Sequence, residues 1–432
     1  MNNEVSFFLD DSPKIQFPFD VVDVNTKLIL NFLYEPIFLK KNGNFFERGI
    51  EDKSSKRALN IKFTKENKAS AKDMYSTLMY VIKEHKASAE FLEFIVGVKE
   101  YLRGDSTLEK IKLYQNGSNL YATMYDCTSY KEVFSTITFS PVFFDNGHPS
   151  YKKNNGIYTL KSSQESILRL QKKEKKSYFP KYINFIVERN PETQVKKIES
   201  LKHYYSGFTS LTPKILANVN SNYVQEIKSH VRFRLLCSNN EVFTYDLRKK
   251  LYEYVIETIT KDPVLSRAIS ISDIRNKKVY NIEQQVQSSD KIKIVYANFF
   301  PNKEIVIIAK KFLEKNGVEA KLIGKSFSDF LNIDSDQYDM VLRVEEPVTN
   351  NFVDYYIEQI QWIDQEKRKT YVTFLNRLLS LRSNNEKLEK VLNLYVARYS
   401  RMLEIGTFNK TCYRSVDCKP LKFNDNGDLI IS

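Results

Sequence analysis

The chain has 432 residues, room for two or three domains or one large discontinuous one. Apolar residues make up 42% and aromatics 13%, which excludes a disordered chain, and the 12 Gly and 12 Pro exclude collagen-like or Gly-rich low-complexity sequence. Lys plus Arg (66) exceeds Asp plus Glu (53), a net charge of +13. Lys and Glu nevertheless alternate along most of the chain, the densest basic run (172–176) is short, and no helix-turn-helix, zinc or RNA-binding motif accompanies the charge. Nucleic acid is therefore not an expected partner.

At the amino terminus, residues 1–10 carry no basic segment, no long apolar run and no small-residue cleavage site. No later stretch approaches the roughly 18 uncharged apolar residues of a membrane helix. A cytoplasmic location is expected for the sequence as it stands, or an extracellular, membrane-associated one if a leader has been removed. Residues 21–39 are expected as a helix stopped near Pro36, and 41–44 as a turn. Residues 58–63 alternate apolar and polar and predict a strand. Ser70 followed by Asp73 is a capping-box pattern opening a helix over 71–83. A second helix over 89–102 ends at Gly104, which suits a left-handed cap. Strands are expected over 108–114, 119–125, 167–171, 182–187 and 231–237, with helices over 191–203 and 245–259. A βαβ-like unit follows: strand 291–297, helix 303–315 capped at Asn316-Gly317, and strand 318–323. Then come a strand over 338–344, several helices between 351 and 402, and a hairpin signal at Asn426-Gly427.

The motifs of common enzymes are missing. Gly324-Lys325-Ser326 is not a P-loop, because the required first glycine falls on Glu319; there is also no GxSxG, GxGxxG or HExxH. His85, His148, His203 and His230 stand singly, without metal-ligand spacing, and read as surface or satisfied structural histidines. Cys127, Cys237, Cys412 and Cys418 form no CxxC; idle thiols are the expected reading, with a Cys412–Cys418 pairing left open. Asn116-Gly117-Ser118 and Asn409-Lys410-Thr411 fit the glycosylation pattern, which carries little weight without an export signal. No catalytic constellation, cofactor or metal is expected, and an enzyme is the least favoured reading.

An ordered series of segments resembles family 5 of the extracellular solute-binding proteins, the oligopeptide, dipeptide and nickel receptors of ABC importers. NFLYEPI at 31–37 with the turn at Asn42-Gly43 is similar to the family's "LYEPL … NG". ASAKDMYSTL at 69–78 is similar to "TAxDV…SL", and IVGVKEYLRG at 95–104 to its "I-x-G-x-x-E-Y-x-x-G" helix end. FSPV at 139–142, NGIYTLKS at 155–162, the stretch from Ile308 to Val318, YDM at 338–340 and NDNGDL at 424–429 continue the series in order. The resemblance implies an α/β, bilobal, periplasmic-binding-protein-like fold (type II, cluster C) with discontinuous lobes joined by a hinge. Lobe I would take 1–230 plus 404–432, with a smaller subdomain about 41–127; lobe II would take 235–403.

It also implies a peptide or similar small solute enclosed between the lobes and delivered to an ABC permease, by a protein expected to be a monomer. Peptide-binding members place an Asp after the "YD" strand against the peptide's amino terminus. In LRVEEP at 342–347 that Asp is missing, and Glu345 or Glu346 would supply the carboxylate. Arg343 would instead favour an anionic group. Glu35 and the aromatics Tyr34, Phe139, Phe143 and Tyr158 are candidates to line the cleft, with ordinary core packing as the other reading of the rings. The alternative function is a cytosolic derivative of this fold that senses a ligand, or binds a peptide or a regulatory or biosynthetic partner, without transport.

Overall fold

The computed structural model describes residues 4–13, 17–21, 23–125, 130–151, 153–164, 166–173, 179–227, 231–239, 241–271, 291–346, 352–380 and 386–430. Cys127, His230, Pro347 and Glu174, Lys175 and Lys176 of the basic run fall outside them.

The first lobe is built on the strand Glu4–Leu9, whose Phe7 and Leu9 point into the core. It pairs in parallel with Tyr182–Val187 on one side and Tyr204–Tyr205 on the other. Ile167–Lys172 and Tyr158–Ser163 complete a five-stranded sheet. Phe7 stacks at 4.9 Å on Tyr205 and at 5.7 Å on Phe185. The helix Val24–Leu33 covers this face, starting at Asp23, whose carboxylate accepts the Thr26 N–H at 2.8 Å. It is shorter than the 21–39 expected. Tyr34 is already extended, Pro36 disfavours helical backbone at Glu35 so the helix cannot resume, and Phe38–Lys41 turns back onto Asn44–Glu47 instead. Asn42 and Gly43, with φ of 52° and 75°, make that hairpin.

Gly156 packs its backbone onto the end of the helix, its N–H donating to the Leu33 carbonyl at 2.8 Å. A Cβ there would lie 2.4 Å from the Leu33 carbonyl carbon. Gly156→Ala is therefore expected to lower stability by about 1–3 kcal/mol, read as an earlier urea midpoint. An unchanged midpoint would contradict that packing.

A four-stranded sheet, Ile50–Asp52, Ala58–Phe63, Asn119–Thr123 and Leu113–Asn116, extends the first lobe. The helix Ala71–Lys83 backs it with Met74, Leu78 and Val81 buried, and the Ser70–Asp73 capping box forms as expected. The helix expected over 89–102 is instead broken in two, a 3₁₀ turn at Ala87–Leu92 and a short helix Val98–Leu102. Gly97 separates them with φ 93°, and a Cβ on it would meet the Lys110 carbonyl oxygen at 2.6 Å.

In the second lobe the strand order is Ile269–Ile271, Met402–Phe408, Arg232–Cys237, Met340–Glu345, Ile292–Ala297, Ala320–Lys325. The last two pair in parallel around the helix Asn302–Lys315, the expected βαβ unit. That helix and Tyr245–Lys261 bury one face of the sheet with Phe233, Leu235 and Leu342. Beyond the opposite face lie the helices Phe352–Gln359, Gln365–Ser380 and Glu386–Tyr399, whose shared core includes Tyr355, Tyr371, Leu392 and Val396. None of the described helices is long and apolar enough to cross a membrane.

The chain passes between the lobes twice, and the two passages lie side by side. Val224–Ile227 pairs antiparallel with Lys410–Tyr413, and Arg232–Cys237 pairs antiparallel with Met402–Phe408.

Candidate interlobe binding site

Where the passages meet, four charged side chains from different elements converge. Lys27, on the helix Val24–Leu33, sets its Nζ 2.8 Å from Asp428 and 3.2 Å from Glu346. Lys410, at the start of the returning strand, sits 3.0 Å from the same Glu346, which directly follows Met340–Glu345. Asp428 is aimed by the carboxy-terminal turn, its N–H donating to the Asn424 side chain at 2.8 Å. Burial alone would raise the Glu346 carboxyl; the two ammonium groups override it and hold the acid down to about 2. Burial likewise works against the Lys27 ammonium, but Asp428 and Glu346 hold it above the usual lysine range. Lys410 goes the other way: burial and the nearby Lys27 push it below that range against the pull of Glu346 and, less, of Asp428.

A second cluster lies on the face of the second-lobe sheet opposite its two covering helices. Alternation along Arg232–Cys237 puts Arg232, Arg234 and Leu236 on that face. Arg234 reaches Glu345 at 3.1 Å, Glu404 at 3.6 Å, and makes direct contact with Glu358 of the helix Phe352–Gln359. Arg232 stands 3.8 Å from both Glu358 and Glu404. Arg343 pairs with Glu345 at 3.1 Å and donates to the Ser335 hydroxyl at 2.7 Å. From the first lobe, the 3₁₀ turn Ala87–Leu92 brings Glu90 toward Glu358. Enclosure raises the Glu90 carboxyl and the Glu358 charge adds to it, although Glu90 keeps an open path to solvent. Enclosure also raises neighbouring Glu93.

The residues singled out from sequence divide accordingly. Arg343 and Glu345 lie together in this second cluster. Glu346 does not join them; it is buried between Lys27 and Lys410, so a solute's ammonium group would have to displace a lysine to reach it. Tyr34 and Glu35 border a crevice of about 20 Å³ shared with Asn424 and Asp428, room for a single water. Phe139 and Tyr158 are fully buried in the first-lobe core, the Tyr158 hydroxyl donating to the Pro180 carbonyl at 2.8 Å; their reading as cleft lining gives way to core packing. Phe143 is half-buried.

Sequence reasoning missed Lys27, Glu90, Arg232, Arg234, Glu358, Glu404, Lys410 and Asp428. One signal was present: two arginines at alternate positions of an otherwise apolar strand.

Two sheet-based lobes, an interrupted first lobe and a paired double passage define the bilobal, periplasmic-binding-protein-like receptor fold. Solved structures of oligopeptide-receptor type share it from end to end, as the resemblance to family 5 implied. The substrate-binding domain of an oligopeptide ABC transporter from Bacillus anthracis str. Ames superposes with TM-score 0.79 at 14% identity, over 99% of this chain and 98% of that one. Haemophilus influenzae OppA in complex with RPPGFSPFR gives 0.77 at 12%, over 96% and 95%. The Escherichia coli murein tripeptide binding protein MppA gives 0.76 at 13%, over 96% and 94%. The unliganded open form of MppA gives only 0.61 at 12%, over 96% and 93%. No protein-family model and no curated protein matches the sequence. By TM-score the chain is more similar to peptide-complexed OppA than to the unliganded open form of MppA.

Proposed function

We propose that the chain is a receptor that closes over a peptide or similar small solute between its lobes and hands it to an ABC-type permease; it is a binding protein, not an enzyme. The observation that carries this reading is the lobe arrangement, which scores 0.77 against a peptide-complexed OppA and 0.61 against an open, unliganded MppA. The chemistry of the seam agrees with it. Glu90 of one lobe feels the like charge of Glu358 of the other, and while Arg234 and Arg232 neutralise Glu358, Glu90 has room for a cation of its own. An amino terminus or basic side chain of the solute takes that place. Arg343, half-open beside Glu345, is available to a carbonyl or carboxylate further along the solute.

Native mass spectrometry of gently purified protein, followed by titration with peptide panels, tests the reading. A retained peptide, or a thermal shift with peptides, supports it. No bound species and no shift across the panel overturns it. Within this reading, Glu90→Gln is expected to weaken free-amine peptides about tenfold while leaving their acetylated counterparts nearly unchanged. Equal effects on both would remove Glu90 from the ammonium position.

A further inference from the structure

We propose that the outer side of the first lobe carries a site for one divalent transition-metal ion of the zinc class, held by His203, Asp417 and Cys418. These residues come from two stretches far apart in sequence. His203 ends the turn leading into Tyr204–Tyr205, while Asp417 and Cys418 follow the strand Lys410–Tyr413. One ligand atom from each lies within 4.8 Å of the other two. An ion with bonds of about 2.0–2.3 Å to nitrogen, oxygen and sulfur would draw such a set in by roughly an ångström.

The surroundings resemble a prepared site. The His203 backbone N–H donates to one Asp417 oxygen at 3.1 Å, which turns the other oxygen onto the ring Nδ1. Metal-binding side chains are commonly oriented by such supporting bonds. Cys418 is buried behind them, its sulfur 3.7 Å from the Tyr204 carbonyl oxygen. His203 also lines a groove of about 520 Å³ with Lys202, Asn184 and Arg169, and Asp417 is exposed, so an ion bound here would meet water and could keep one water ligand. Nitrogen, carboxylate and sulfur together suit zinc or cobalt(II), not calcium or magnesium, which take oxygen alone. On binding, the ion bridges His203 Nδ1 and Asp417 in place of their direct contact, the imidazole carries its one proton on Nε2, and the Cys418 thiol proton passes to water. This side of the lobe is separate from the interlobe seam, so the proposal stands whether or not a peptide binds there.

Chelator-stripped full chain titrated with Zn²⁺ and Co²⁺ tests the site. One zinc per chain is expected, with a higher melting temperature, and the cobalt form should show a near-ultraviolet sulfur-to-cobalt band. Cys418→Ser should abolish that band, His203→Ala should weaken zinc at least tenfold, and His85→Ala, far from the site, should bind as the parent does. Circular dichroism of each metal-free variant separates loss of ligands from loss of fold. Absence of zinc uptake by the parent chain overturns the proposal. So does a folded Cys418→Ser or His203→Ala that binds zinc as tightly as the parent.

Discussion

Lys27→Met is expected to remove about 3–5 kcal/mol of stability, seen as a large fall in the urea midpoint. Met keeps the length and apolar stem of the side chain, so the change isolates the charge. It leaves Asp428 without its ammonium partner and Glu346 with Lys410 alone, both carboxylates less than a tenth exposed. An uncompensated buried carboxylate is far more damaging than the pair was helpful. Adding Asp428→Asn should therefore recover much of the loss, because it removes the stranded charge. A Lys27→Met protein with the parent's midpoint would show the cluster to be solvated. Acid offers an independent check. The folded chain holds the Glu346 carboxyl at about 2, against an ordinary 4.5. A depressed carboxyl contributes stability that is complete above its ordinary value and is lost as pH falls from there through about 2. Glu346→Gln should flatten that acid limb.

Arg234→Met should be comparably damaging, about 3–5 kcal/mol, for a related reason. Its guanidinium is shared by Glu345, Glu358 and Glu404, and both Arg234 and Glu404 have side chains only 5% exposed. Without it, Glu404 keeps only Arg232, at 3.8 Å. The tie of the helix Phe352–Gln359 to the sheet through Glu358 is reduced to the longer contact from Arg232, at 3.8 Å. Arg343→Met is the useful contrast. That side chain is 36% exposed, and loss of its pair with Glu345 should change stability by no more than about 1 kcal/mol. Equal losses for the two arginines would mean that burial does not decide which ion pair matters here.

The sequence carried local signals well where backbone geometry demands a particular residue. Ser70 with Asp73, Gly104, Gly317 and Asn426-Gly427 each mark a cap or turn found in the fold. The helices over 21–39 and 89–102 are overdrawn because apolar spacing continues past Leu33, where the first ends ahead of Pro36, and across Gly97, which splits the second. The segment Arg343–Glu345–Glu346 was legible as charged and near the site, but the roles were not. Whether a glutamate meets solvent, an arginine or two lysines depends on side chains at 27, 234 and 410, and no local pattern joins these. Phe139 and Tyr158 could not be placed from sequence, since large rings serve cores and clefts alike.

The double passage between the lobes also sets an order of assembly. Residues 409–430 leave the ribosome after the second-lobe sheet, which ends with Met402–Phe408, has been made, yet Lys410–Tyr413 and Asp428 are needed to finish the first. The earlier half of the molecule therefore waits, with Lys27 and its neighbours unpaired, while the later-made lobe is already able to fold. A nascent chain halted just after Phe408 should be a better chaperone client than the finished protein.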